Sequence, residues 1–143
     1  MENFVTTHIV AGAVIRRGSE YLLVQEKLPK AYGLWNWPAG KVEIGDSIEE
    51  TAIKEAKEES GFDVELVRKL DIFQDSVDTP PKHAFEAKII GGELKYPEDE
   101  ILDAKWFTAD EIKSMRDKLR GEWILGAIDI FDDADEIKEV ALN

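Results

Sequence analysis

With 143 residues, 43% of them hydrophobic, the chain has the length for one compact domain, placed over residues 1–143, with a buried core. It has no cysteine, which excludes disulfides and thiolate zinc sites, and no apolar run near the roughly 20 residues of a membrane span. A formal net charge of −13 argues against nucleic-acid or anionic-membrane partners, and the opening Met1-Glu2-Asn3-Phe4 lacks the basic-then-apolar order of a leader, so a cytoplasmic protein is expected. His8 to Arg16 is rich in Val, Ile and Ala. After the turn Arg17-Gly18-Ser19-Glu20, the run Tyr21 to Gln25 resumes, which predicts a hairpin. Lys27 to Trp37 reads as loop, and Ala39 to Gly45 as a short strand plus turn. Ser47 to Ser60 is the clearest helix. Asp46-Ser47 supplies its cap, Ser47 with Glu50 fits a capping box, and Gly61 stands where a left-handed residue belongs. Asp63 to Asp75 and His83 to Ile90 alternate as strands, Gly91-Gly92 turns the chain, and Lys105-Trp106-Phe107 is a short strand. Thr108 caps a helix from Ala109 to about Leu119, a last helix runs from about Glu122 to Phe131, and the tail beyond Asp132 is charged. Strands interleaved with helices predict an α/β domain, a mixed sheet covered on both faces.

On a helical wheel, Ile48, Ala52 and Ala56 form an apolar stripe along Ser47 to Ser60. Glu55 and Glu59 border it, Glu58 lies beside them, and Lys54, Lys57 and Glu50 point away. Three carboxylates at i, i+3 and i+4 therefore share a face. Like charges at i, i+4 repel, burial penalises each of them, and the C-terminal end of the helix dipole is negative. A divalent cation would relieve all three costs, and Mg²⁺ takes oxygen ligands of this kind. A solvated acidic face has the same spacing, so the helix alone leaves both readings open.

The preceding loop adds a longer pattern. Gly40 is followed after five residues by Asp46, and after seven more by Lys54-Glu55-Ala56-Lys57-Glu58-Glu59-Ser60-Gly61-Phe62. This resembles the Nudix box, Gly-x5-Glu-x7-Arg-Glu-U-x-Glu-Glu-x-Gly-U, with U a bulky apolar residue. Asp46 stands where the family has Glu, Lys54 where it has Arg, Ala39 where it has Gly, and Ala56 is small for its slot. The resemblance implies a Nudix-type α/β/α sandwich with a mixed β-sheet. It also implies a Mg²⁺-dependent hydrolase, with Mn²⁺ able to substitute, that cleaves a pyrophosphate bond in a nucleoside diphosphate derivative.

Carried over by position, Glu55, Glu58 and Glu59 are the metal ligands and the Ala39 carbonyl is an extra one. Gly40 lets the backbone come close, and Lys54, paired with Glu58 or Glu50, steadies the set. The catalytic group comprises Glu58, Glu55, Lys54 and Glu100. Glu100, on Pro97-Glu98-Asp99-Glu100-Ile101, resembles the family's later-loop acid and is the candidate base or further metal ligand, with Glu98 second and Glu43 third.

For substrate binding, Trp35 or Trp37 could stack on a base, with packing in the core as the alternative. Gly40 and Lys41 face the substrate, and Lys27, Lys30 and Lys41 offer local positive charge. Neither His8 nor His83 belongs to a nucleophilic triad. The NADH-type array and a coenzyme A signature are missing, and Pro80 and Pro81 lie 18 and 19 residues beyond Phe62, against about 16 for a proline in ADP-ribose enzymes. A nucleoside triphosphate or small nucleotide is the expected substrate. ADP-ribose, a dinucleoside polyphosphate, or noncatalytic nucleotide sensing are the alternatives, in a monomer or homodimer.

Overall fold

The Val, Ala and Ile run at residues 10–17 becomes the sheet's central strand because its side chains are covered on both faces. The computed structural model describes residues 3–142, with side chains of the last helix to Lys138. Met1 and Glu2, part of the segment read for a leader, lie outside the described residues, as does Asn143. The strands are β1 (Val10–Arg17), β2 (Glu20–Glu26), β3 (Trp35–Asn36), β4 (Ala39–Lys41), β5 (Phe62–Phe73), β6 (Lys82–Gly92) and β7 (Ile101–Thr108). The helices are α1 (Ile48–Ser60), α2 (Ala109–Ser114) and α3 (Trp123–Leu142), with 3₁₀ turns at Pro29–Ala31 and Arg116–Lys118.

The sheet is mixed. Its path runs β3-β2-β1-β6-β5, with β4 beside β1 and β7 beside β2. β1 and β6 are parallel, and the other pairs are antiparallel. Alternation along β1 sorts the core into two layers. Ala13 and Ile15 join Leu22, Val24 and Phe62 beneath Ala56 of α1. Val14 faces the other way, with Tyr21 and Leu23, towards Ile112 of α2 and Ile124, Ile128 and Phe131 of α3. The result is the expected α/β/α sandwich.

Ser47 caps α1, its hydroxyl accepting from the Glu50 N–H at 3.0 Å. Among the described residues the return bond of a capping box is made at Thr108 and Glu111, not at Ser47 and Glu50. Gly61 ends α1 at φ 82°, its N–H donating to the Lys57 carbonyl at 2.9 Å. A Cβ there would also overlap the Glu93 carbonyl, so only glycine fits.

Several boundaries differ from the sequence expectation. β6 runs on through Gly91 and Gly92, read from the sequence as a turn, because they pair with Asp63 and Phe62 of β5. β7 begins at Ile101, because Ile101 and Ala104 are buried and the whole strand pairs with β2. The helix from Ala109 stops at Ser114, and the chain is drawn off as the Arg120 N–H donates to the Trp35 carbonyl at 2.8 Å. The last helix continues past Phe131 to Leu142, with no Gly or Pro after Gly126 to end it. Among the described residues no helix is long and apolar enough to cross a membrane.

Candidate active site

α1 lies on β1, β4 and β5 with Ala52 and Ala56 fully buried. That seating turns the neighbouring carboxylates inwards, onto β4. β4 is itself fixed against β1 through the pairs Ala11–Gly40 and Gly12–Ala39. Glu59 Oε2 accepts from the Ala39 N–H at 3.0 Å. The Glu55 carboxylate lies where a Cβ on Gly40 would be. The glycine thus makes room for the Glu55 carboxylate in this position, and since its φ is not positive the backbone conformation itself does not demand it.

Crowding and burial change the chemistry of these acids. Burial, then the charge of Glu58, with smaller pushes from Glu100 and Glu43, raises the Glu55 carboxyl to about 7, against the pull of Lys54. Burial likewise lifts Glu59 well above the usual carboxylate range. The Ala39 N–H opposes that lift, and the charges of Glu55, Glu26 and Glu100 add to it. Glu100, from the loop before β7, thus joins the field around both helix acids. Its loop is tied down by Lys27, whose N–H donates to the Glu100 carbonyl at 3.0 Å and whose Nζ donates to the Glu98 carbonyl at 2.8 Å. Lys27 therefore braces this loop, where the sequence suggested a contact with phosphate.

Lys54 was expected to pair with Glu58 or Glu50. Its Nζ instead lies 3.0 Å from Asp46 Oδ2 and 3.8 Å from Glu43 Oε2. The hydrogen bond to Asp46 is the largest cause of a raised Lys54 value. Asp46 and Lys54, the two charged departures from the box pattern, are thus each other's partners, because the turn into the Ser47 cap returns Asp46 alongside the helix.

Both tryptophans expected against a base are in the core. Trp37 is fully enclosed, 6.2 Å from the Tyr21 ring centroid. Trp35 is buried edge-on against Phe107 at 5.1 Å. Proline and glycine around Trp35-Asn36-Trp37 suggested an accessible loop, but β3 pairs with β2 and carries the segment inside.

The open walls are made by residues that sequence reasoning missed. Asn36 Oδ1 accepts from the Trp37 N–H and from Trp123 Nε1, each at 2.9 Å. Asn36 Nδ2 donates to Glu26 Oε1 at 3.2 Å, and Glu26 Oε2 lies 3.2 Å from Arg120 Nε. This chain of contacts borders a cavity of about 150 Å³ that also meets Ala39, Gly40, Lys41 and Lys82. A cavity of about 450 Å³ over Leu28, Pro29 and Ala31 shares Glu26, Lys41 and Arg120 with it. A third, of about 510 Å³, opens beside Glu58 and is walled by Tyr96 and Pro97. No local motif marks Glu26, Lys82 or Arg120. Only the pairing of distant strands brings them to Gly40.

The donor set fits a hard divalent cation. It is all oxygen, two of its carboxylates are raised chiefly by burial and further by neighbouring acids, and Gly40 is bare where Glu55 must fit. Among the described residues no three acidic or imidazole side chains converge as a ready cage. A cation here would complete its shell with water and substrate oxygens, as Mg²⁺ commonly does.

A family model for the NUDIX domain matches residues 6–125. The chain is 37% identical over 125 residues to a putative nudix hydrolase 1 of Caenorhabditis elegans, covering 84% of this chain and 34% of that protein. It is 34% identical over 105 residues to an NAD-capped RNA hydrolase, NudC, of Pectobacterium carotovorum, covering 71% and 38%. The chain therefore spans well under half the length of these relatives. Its fold matches a solved NUDIX hydrolase from Nitrosomonas europaea with a TM-score of 0.81 at 25% identity, covering 90% of each chain. An ADP-ribose pyrophosphatase structure from Streptococcus suis matches with a TM-score of 0.65 at 26% identity, covering 86% and 90%. With the box acids gathered on one helix and the family pattern spanning most of the sequence, this chain belongs to the Nudix hydrolase family.

Proposed function

We propose that the protein is a Mg²⁺-dependent hydrolase that cleaves a pyrophosphate bond in a nucleoside triphosphate or similarly small nucleotide. One observation carries this reading: Glu55 and Glu59 are turned inwards onto the backbone of residues 39–40, an arrangement costly without a cation. Glu55, Glu58 and Glu59, with the Ala39 backbone and Glu100 at the edge, are the groups that would hold it. When bound, the cation supplies positive charge to the diphosphate oxygens and lowers the pKa of the attacking water. Glu100 is the group we assign to take that water's proton. Lys54, fixed by Asp46, tempers the negative field on Glu55. Lys41 and Gly40 meet the substrate at the cavity rim, and the larger cleft over Leu28, Pro29 and Ala31 takes the nucleoside.

A two-ended substrate such as ADP-ribose or a dinucleoside polyphosphate is the second reading. The roughly 510 Å³ cavity beside Glu58 favours it, since it leaves room for a second group across the acidic centre. A putative 8-oxo-dGTP diphosphatase of Bacillus subtilis, 33% identical over 94 residues, covering 65% of this chain and 60% of that protein, gives support to the first.

Incubation with Mg²⁺ and a panel of nucleoside triphosphates, sugar nucleotides, ADP-ribose and dinucleoside polyphosphates, read as phosphate and pyrophosphate release, tests both. Hydrolysis lost in Glu58→Gln and Glu59→Gln supports the proposal. Nucleotide binding without turnover in the unaltered protein would replace it with a noncatalytic sensor.

A further inference from the structure

We propose that the small cavity between Lys41, Lys82 and Arg120 binds a second phosphate of the substrate, carried on its ribose. The preferred nucleotides would then be phosphorylated at a ribose 2′ or 3′ hydroxyl as well as at the 5′ diphosphate. This rests on the nucleotide-hydrolase reading above and adds the substrate class.

Strand register places the two lysines. Val10 of β1 pairs with Lys41 on one side and Lys82 on the other. Registered neighbours point to the same face, and two strand spacings of about 4.8 Å put their backbones about 10 Å apart with Val10 as the floor between them. Side chains alternate along β4, so Lys41 faces away from the side on which Gly40 meets Glu55. An anion seated over Val10 is therefore distinct from the anhydride held beside Glu55.

The charge of this wall points the same way. Among the described residues Lys41 and Lys82 have no ion-pair partner, in a protein with a formal net charge of −13. Arg120 is held through Nε by Glu26, whose other oxygen accepts from Asn36, so the one acid of the wall is already engaged. Clustered cations repel one another, and a compact anion removes that cost while taking charge-assisted hydrogen bonds.

Size decides what kind of anion. The cavity holds about 150 Å³, enough for a phosphate group but cramped for a nucleoside. The adjoining cleft of about 450 Å³ presents Leu28, Pro29 and Ala31 to a nucleoside and shares Lys41 and Arg120 with the smaller space. A nucleoside in the larger cleft thus projects a ribose substituent into the smaller one. The source of that phosphate is a free nucleotide or the 5′ end of an RNA strand, and the acidic surface favours the free nucleotide.

Calorimetric titration of adenosine 5′-monophosphate, adenosine 3′,5′-bisphosphate and its 2′,5′ isomer, each with Mg²⁺, tests the site without requiring turnover. At least one bisphosphate is expected to bind about tenfold more tightly than the monophosphate. Lys82→Gln should bring that ratio to about one, while Lys82→Arg should keep it. In parallel, kcat/KM for 3′-phosphorylated ATP, plain ATP and a 5′-triphosphorylated tetranucleotide identifies the source. A preference confined to the mononucleotide marks a free nucleotide, and an equal preference for the tetranucleotide marks an RNA end. Equal binding of all three adenosine ligands, or a ratio that survives Lys82→Gln, overturns the proposal. A retained ratio in binding with no hydrolysis of any substrate would defeat the enzymatic reading and leave this site standing.

Discussion

Replacing Glu55 by Gln should make the metal-free protein more stable at alkaline pH and deprive it of stabilisation by Mg²⁺. The Glu55 carboxyl is raised from 4.5 to about 7, chiefly by burial and then by the charge of Glu58. A carboxyl raised on folding holds its proton more tightly in the native state. Native stability therefore declines as pH climbs from 4.5 to about 7 and stays lowered above that. The whole shift corresponds to about 3 kcal/mol. Glu55 is partly open to water, so about 1–2 kcal/mol is the expected gain in the variant at pH 8. Below about pH 4 the side chain is protonated in both native and unfolded chains, and the gain should vanish. Saturating Mg²⁺ reverses the order, since a cation that binds only the native state stabilises it in proportion to ln(1 + [Mg²⁺]/Kd) and the variant has lost a ligand. Urea unfolding at pH 4, 6 and 8, with EDTA or with Mg²⁺, measures each of these differences. A Gln variant no more stable than the parent at pH 8 in EDTA, or equally stabilised by Mg²⁺, refutes the argument that Glu55 is a strained acid awaiting a cation.

Gly40→Ala places a Cβ on the Glu55 carboxylate. Displacing that ligand by about an ångström should lower kcat about 100-fold, measured on whichever nucleotide the panel identifies. Glu100→Gln should lower kcat by about 10²–10⁴-fold with little change in KM, and because the side chain is exposed its thermal midpoint should stay within about 2 °C of the parent. Trp37→Phe should cost about 1–3 kcal/mol in urea unfolding while leaving KM unchanged, because the indole is fully enclosed and lines none of the three cavities described above. A KM raised several-fold in that variant would return Trp37 to the substrate site.

The box was legible because it is local. Glu55, Glu58 and Glu59 lie on one helix with a fixed period, and Ser47 and Gly61 mark its two ends by residue type alone. Strand interleaving likewise sufficed for a mixed sheet covered on both faces, and the resemblance of the box supplied the α/β/α sandwich. What the sequence hid depends on pairing between distant segments. Trp35 and Trp37 looked like loop aromatics until β3 joined β2, and Lys54 looked set for Glu58 or Glu50 until the turn before α1 brought Asp46 beside it. Glu26, Lys82 and Arg120 belong to three separate elements or turns, and nothing in their neighbours along the chain marks them. Lys41 was visible beside Gly40, but the cation facing it across Val10 was not.

The three residues of β4 show how so acidic a chain would host the proposed polyanionic substrate. Alternation sends Gly40 towards Glu55 on the α1 side, while Ala39 and Lys41 face the opposite side, towards Val10 and Trp123. The Ala39 N–H also holds the Glu59 carboxylate at the strand edge. The helix acids and the Lys41 ammonium therefore lie on opposite faces of a single strand. Reversing the alternation of β4 by one residue would bury Lys41 against α1 and turn Gly40 towards Val10 and Trp123, so both charge systems depend on the register fixed by Ala11–Gly40. The same pairing that lets α1 pack on the sheet thus also sets where Lys41 stands relative to Glu55 and Glu59.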